Sequence, residues 1–162
     1  MLRPGVKYLG KRPAPTPPAV RFGDNDIERI IIGEEIPASA RTVFPYDKRW
    51  ITGAIGYLDF EELHDDKWGG HFTYLHSLGI EPSYRRRGYA SQLFQKVEEI
   101  TRERAIPKIM TSGVQVDRLS MLFLLERRGY HQYADNGVLP WREHREKYPR
   151  HLISVLFEKV IR

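Results

Sequence analysis

A chain of 162 residues, 41 % hydrophobic and 29 % charged, is long enough for one soluble domain with a proper core. It has no cysteine, which excludes disulfides, thiolate metal sites and a cysteine nucleophile. The net charge of +5 favours anionic ligands, from nucleic acid to the phosphates of a cofactor, although a solvated basic surface accounts for most of the arginines. There is no run of 18 apolar residues, so no membrane helix is expected. The first 15 residues lack the apolar core of a secretory signal, which makes the cytoplasm the expected location.

Residues 1–19 form a proline-rich arm, densest at Pro13, Pro15, Pro17 and Pro18. Proline fixes φ and removes N–H donors, so the arm should be extended and polyproline-like, packed on the domain or loose. Residues 20–162 should make a single domain. The isoleucine-rich run 27–36 favours a strand over a helix capped by Asp26. A second strand is expected over 50–60, with Gly53 and Gly56 marking bends or a close backbone neighbour. Residues 61–70 read as a polar connection, and 71–80 as a third strand.

Ala90, Leu93, Phe94, Val97, Ile100 and Thr101 recur at helical spacing, and Pro107 closes that helix. A short strand over 108–114 follows, then an apolar helix over 119–128 that stops before Gly129. Strands are expected over 130–134 and 152–161, with a short helix after Pro140 between them. The unit 71–80, 89–104, 108–114 is a strand–helix–strand crossover, so its two strands should be parallel. The expected class is α/β (α+β): a mostly antiparallel sheet with one parallel βαβ crossover and helices on both faces.

The junction between the third strand and the helix carries the strongest chemical signal. The sequence there is Leu78-Gly79-Ile80-Glu81-Pro82-Ser83-Tyr84-Arg85-Arg86-Arg87-Gly88-Tyr89-Ala90-Ser91. A basic glycine turn that opens a helix suits phosphate: the first-turn N–H groups lack intrahelical partners, and the helix dipole is positive there. A Walker A loop is absent, and Gly88 stands alone where a dinucleotide fingerprint needs three glycines. What remains, Arg85-x-x-Gly88-x-Ala90 after Leu78-x-Ile80-x-Pro82-x-Tyr84, resembles the acyl-CoA-binding motif of the GNAT superfamily of N-acetyltransferases. A second stretch, 117–130, resembles that family's later helix, down to its Gly129-Tyr130 ending. The resemblance covers roughly residues 50–130, and the N-terminal third fits poorly.

The resemblance implies a domain that binds acetyl-CoA or another acyl-CoA and transfers the acyl group to an amine by direct attack. It implies that Leu78, Gly79, Ile80, Arg85, Arg86, Arg87, Gly88, Tyr89, Ala90 and Ser91 hold the cofactor, with strands splayed beside them. At the place of the tyrosine that often serves as general acid, this chain has Leu125, or Leu124 with a one-residue gap. The family's asparagine position falls on Asp117 or Arg118.

The first candidate base is His76, two residues before Leu78, where many family members carry a glutamate. A histidine's unperturbed pKa, about 6.5, suits base chemistry. The alternative is a satisfied, half-buried histidine among Phe72, Tyr74 and Leu78. Asp59 and Glu62 are weaker alternatives, and Tyr130 and Tyr133 fit better as packing residues than as proton donors. Metal-ligand spacing does not emerge along the strands, so a metal is not expected. Two other readings stand behind the acetyltransferase: a non-catalytic acyl-CoA-binding protein, and a basic nucleic-acid module. The acceptor amine is left open, and either a monomer or a homodimer is expected.

Overall fold

Runs rich in isoleucine, phenylalanine and leucine supply the strands at the centre of the molecule. The computed structural model describes residues 6–9, 27–33, 54–68, 70–133 and 138–162. A seven-stranded sheet runs in the order β1 (Val6–Leu9), β2 (Ile27–Gly33), β3 (Ala54–Asp65), β4 (Gly70–Ile80), β5 (Lys108–Thr111), β9 (Phe157–Val160) and β7 (His131–Gln132). Beside it, β6 (Val114–Gln115) and β8 (Ser154–Val155) form a two-stranded sheet. Among the described residues, three helices accompany the strands: α1 (Tyr89–Glu103), α2 (Leu119–Arg127) and α3 (Trp141–Lys147).

The pairing is antiparallel except at two places. The β4–α1–β5 crossover is parallel, as expected, and β1 adds a second parallel pair with β2. Part of the N-terminal arm is therefore a sheet strand, whereas its proline cluster lies outside the described residues. The segment 61–70 is not a connection throughout. β3 continues to Asp65, and the pairing with β4 runs to Asp65↔Gly70. Its polar side chains tolerate a strand because they meet partners across the ladder, Glu61 with His76 and Glu62 with His71. The last expected strand, 152–161, is divided: β8 joins β6, while β9 inserts between β5 and β7.

Burial explains α1. Leu93, Phe94, Val97 and Ile100 share one face and enter a cluster with Ile30, Leu58, Phe60, Leu75 and Ile109 of the sheet. Fully burying side chains of this size stabilises by roughly 1.5–3 kcal/mol each. The buried Thr101 hydroxyl bonds the Val97 carbonyl at 2.7 Å and Thr73 Oγ1 at 2.9 Å, so the helix is tied to β4 as well as packed on it. α2 adds Leu122 and Leu125 to the same cluster, and α3 adds Trp141. Glu98, 4 % exposed, accepts from Arg128 at 2.8 Å and from Lys159 at 2.6 Å, which joins α1 to the end of α2 and to β9. Glu126 accepts from the Trp141 indole at 2.9 Å and from Arg142 at 2.7 Å; the Arg142 guanidinium is the main reason its carboxyl is held below the usual range.

α1 and α2 end alike. After α2, Gly129 N–H bonds the Glu126 carbonyl and Tyr130 N–H the Leu125 carbonyl, with Gly129 at φ 84°. After α1, Ala105 N–H bonds Arg102 and Ile106 N–H bonds Thr101, with Ala105 at φ 54°. This Schellman geometry needs a left-handed residue, natural for Gly129 and strained for an alanine. Ala105→Gly should therefore stabilise the protein by about 1 kcal/mol, seen as a Tm rise of roughly 2–4 °C in thermal unfolding. A fall in Tm would show that unfolded-chain entropy outweighs the relieved strain.

Candidate acyl-transfer site

The basic turn is built by three local features. Pro82–Tyr84 makes a single 3-10 turn after β4, and Arg85 leaves it extended. Arg86 then takes φ 63° and Gly88 takes φ 83° as the N-cap of α1, with no side chain capping the helix. The uncapped first turn opens on a cleft of about 1750 Å³ whose wall includes Arg85, Arg86, Gly88, Tyr89, Ala90 and Ser91. α2 and the turn before it line it too, including Arg118, Arg127 and Arg128. Basic residues of both segments thus line this space. Of the expected cofactor residues, Leu78, Gly79 and Ile80 line it as well. Arg87 does not; its guanidinium lies 5.4 Å from the Tyr84 ring.

The cleft exists because β4 loses a neighbour. On its β3 side the strand stays paired as far as Gly56↔Ile80. On its β5 side pairing covers only Thr73–Leu75, followed by Ser112 N–H to the Leu75 carbonyl and Ser112 Oγ to the His76 carbonyl. The chain then turns away, and Val114–Gln115 pairs with β8 instead. The strands splay here, as the motif implied, and among the described residues β4 beyond His76 has a strand on one side only. Close packing holds the paired side: a Cβ on Gly56 would come within 2.7 Å of the Gly79 carbonyl oxygen.

A bulge sits at the same point. Leu75 pairs with Phe60 but Ser77 with Asp59, so His76 is an extra residue in β4. The extra residue reverses the alternation, and Leu78 and Ile80 continue on the core side with Leu75. A second cleft of about 520 Å³ opens on the splay, lined by Leu75, His76, Ser77, Thr111, Ser112 and others. Tyr57, Leu78, Arg118 and Met121 line both clefts, so the two adjoin.

His76 is half-buried in the second cleft. Its Nε2 lies 2.7 Å from Glu61 Oε2, and its ring meets Tyr74 edge-on at 4.8 Å. A neutral imidazole facing an ionised Glu61 holds its proton on Nε2 and leaves the Nδ1 lone pair free. Asp59 lines the same cleft but is engaged. Its carboxylate accepts from Arg29 Nε, from Arg29 Nη2 at 2.7 Å and from Ser77 Oγ at 3.2 Å. Glu62 is elsewhere, 2.6 Å from His71 and outside the lining of either cleft. Of the three candidate bases, only His76 combines a cleft position with an uncommitted basic atom. Its partner Glu61 was read from sequence as the start of a connection and so was missed.

A family model described as the Acetyltransferase (GNAT) family matches residues 13–130. The chain belongs to the GNAT acetyltransferase family. No curated protein matches it. Among solved structures, this GNAT chain is similar to the NatC complex bound to Gag peptide and CoA, with TM-score 0.54 and 16 % identity over 74 % of this chain and 69 % of that one. It is similar to the ribosomal-protein-S18-alanine N-acetyltransferase from Escherichia coli, with TM-score 0.51 and 13 % identity over 67 % of this chain and 63 % of that one. A GNAT-family acetyltransferase from Staphylococcus aureus Mu50 gives TM-score 0.50 and 16 % identity over 72 % and 64 %. At such identities the likeness is one of fold. The chain spans less than two thirds of the length of the last two.

Two departures from the family pattern gain a structural setting. Leu124 lines the larger cleft and Leu125 the smaller, so neither place holds a proton donor. Tyr130 does not replace them: it is 1 % exposed, packs edge-on against Phe94, and burial pushes its phenol far above the usual range. Tyr133 packs against Trp68. Of the two residues at the family's asparagine position, Asp117 lines the larger cleft and Arg118 lines both. None of the described helices is long and apolar enough to cross a membrane.

Proposed function

We propose that this GNAT chain is an acyl-CoA-dependent N-acetyltransferase that acts on a primary amine. The observation that carries the reading is the adjacency of the two clefts, which share four lining residues. A basic helix-opening turn lines one end, and a carboxylate-paired histidine lines the other. Acetyl-CoA, when bound, supplies an acyl carbon activated as a thioester. The N–H groups at the start of α1, with Arg85 and Arg86, hold the diphosphate. The unpaired edge of β4 beyond the bulge offers backbone N–H groups to the polarised carbonyl oxygen. His76 Nδ1 takes the proton from the attacking amine, while Glu61 fixes the ring and its tautomer. A new C–N bond replaces the C–S bond, and water in the open cleft protonates the thiolate, since Leu124 and Leu125 cannot.

The reading is tested by following thiol release from acetyl-CoA with a panel of small amines and peptide N-termini. The expected result is release that depends on the amine, with an amide as co-product. Saturable acetyl-CoA binding without thioester cleavage across the panel would favour the non-catalytic alternative, to which the two leucines give specific support.

A further inference from the structure

At the far end of the β3–β4 hairpin, three potential ligands converge outside the acyl-transfer site. Antiparallel pairing sets His64 directly opposite His71, and Glu62 lies two residues before His64 on the same face of β3. The two imidazoles stack with centroids 4.0 Å apart and planes 10° from parallel, and Glu62 Oε1 lies 2.6 Å from His71 Nε2. One donor atom from each of the three residues lies within 4.8 Å of the others. We propose that Glu62, His64 and His71 bind a divalent transition-metal ion of the zinc type.

The donor set selects the metal class. Two imidazoles and one carboxylate suit zinc and its borderline neighbours, whereas calcium and magnesium require mostly oxygen ligands. Three protein ligands leave a fourth tetrahedral position for water. Metal–ligand bonds of about 2.0–2.1 Å put tetrahedral donors roughly 3.3 Å apart, so the longer separations must close while the Glu62–His71 contact opens. Rotation of the side chains can do this, because those of Glu62 and His71 are 38 % and 29 % exposed. Their backbones are already held by the ladder, and the adjoining turn is tied by Lys67 N–H to Asp65 Oδ1 at 2.9 Å. Metal entry replaces the His71–Glu62 hydrogen bond, and with it the one proton the pair shares. The nearby cation, Arg104, is already engaged by Glu28, with Nη2 to Oε1 at 2.7 Å.

His71 lies five residues from His76 along β4, or roughly 17 Å at strand rise. The ion therefore has no place in the acyl-transfer chemistry. Its effect is to staple the hairpin that carries Glu61 and His76.

The test titrates Zn²⁺ into the chelator-stripped chain, with calorimetry and thermal unfolding as readouts. One ion per chain is expected, together with a Tm rise of several degrees when zinc is about 100-fold above its Kd. Substituting both histidines, His64→Gln with His71→Gln, should weaken binding at least 100-fold and remove the Tm rise; Glu62→Gln should weaken it about 10-fold or more. Zinc binding of unchanged affinity in the double variant would place the ion elsewhere and overturn the proposal, as would no saturable binding to the parent. Co²⁺ gives an answer on the parent chain alone: intense visible absorption of a tetrahedral centre supports the site, and the weak spectrum of the hydrated ion rejects it.

Discussion

Replacing His76 by alanine should lower kcat/KM for the amine about 100- to 1,000-fold while leaving the affinity for acetyl-CoA nearly unchanged. A factor of 100 corresponds to about 2.7 kcal/mol of transition-state stabilisation, within the usual range for one positioned base. The site predicts which atom matters. With Nε2 bonded to Glu61 at 2.7 Å, Nδ1 is the atom that receives the proton. Glu61→Gln sharpens the test. An amide N–H turned toward Nε2 would move the ring proton to Nδ1 and block the lone pair, at a cost of about 10- to 100-fold in kcat, with KM for acetyl-CoA kept. The pH–rate profile separates chemistry from packing: its limb assigned to the base should vanish in His76→Ala. A variant with the parental rate and the parental profile would return His76 to a packing role.

Gly88→Val should abolish measurable coenzyme A binding, with Kd raised at least 100-fold, in a protein that still folds. At φ 83° an L side chain is strained by about 1–2 kcal/mol, more for a β-branched residue. That strain lowers Tm by a few degrees without clashes, because nothing lies within 4 Å of where a Cβ would stand. The added methyl groups instead occupy the space in front of the helix N-terminus, where a diphosphate must approach the amides. Calorimetric titration with coenzyme A, beside a thermal melt, reads both effects. Parental affinity in a folded Gly88→Val protein would remove the phosphate role from the turn.

The local part of this site was legible in the sequence, and the long-range part was not. Gly88 and the helical spacing from Ala90 onward lie within one short stretch, so the turn, its left-handed glycine and α1 could be read together. His76 was identified only through its distance from Leu78. Its partner Glu61 is 15 residues away in sequence, and the polar run 61–66 hid the outer part of β3 because its charges are satisfied across the hairpin. The bulge left a trace that is easy to miss. Leu75 and Leu78 are spaced by three, not by two, because the extra residue His76 resets the alternation. The same limit hid His64, since spacing along one strand says nothing of what pairing sets opposite. The division of 152–161 between two sheets was equally invisible, because its composition is that of one apolar strand.

That division matters for how the cleft meets a ligand. The chain segments holding β5 with β6 and β8 with β9 run side by side, paired with each other on both sides of a bend near Gly113 on one and Leu156 on the other. A Cβ on Gly113 would sit 2.8 Å from Ser154 Cβ, so the two segments are in close contact at the bend. A two-stranded ribbon resists bending more than a lone strand. The gap beside β4 is thus propped from behind, at a width set before any acyl chain arrives. A guest entering a preformed slot need not order its walls, so more of its contact energy remains as affinity.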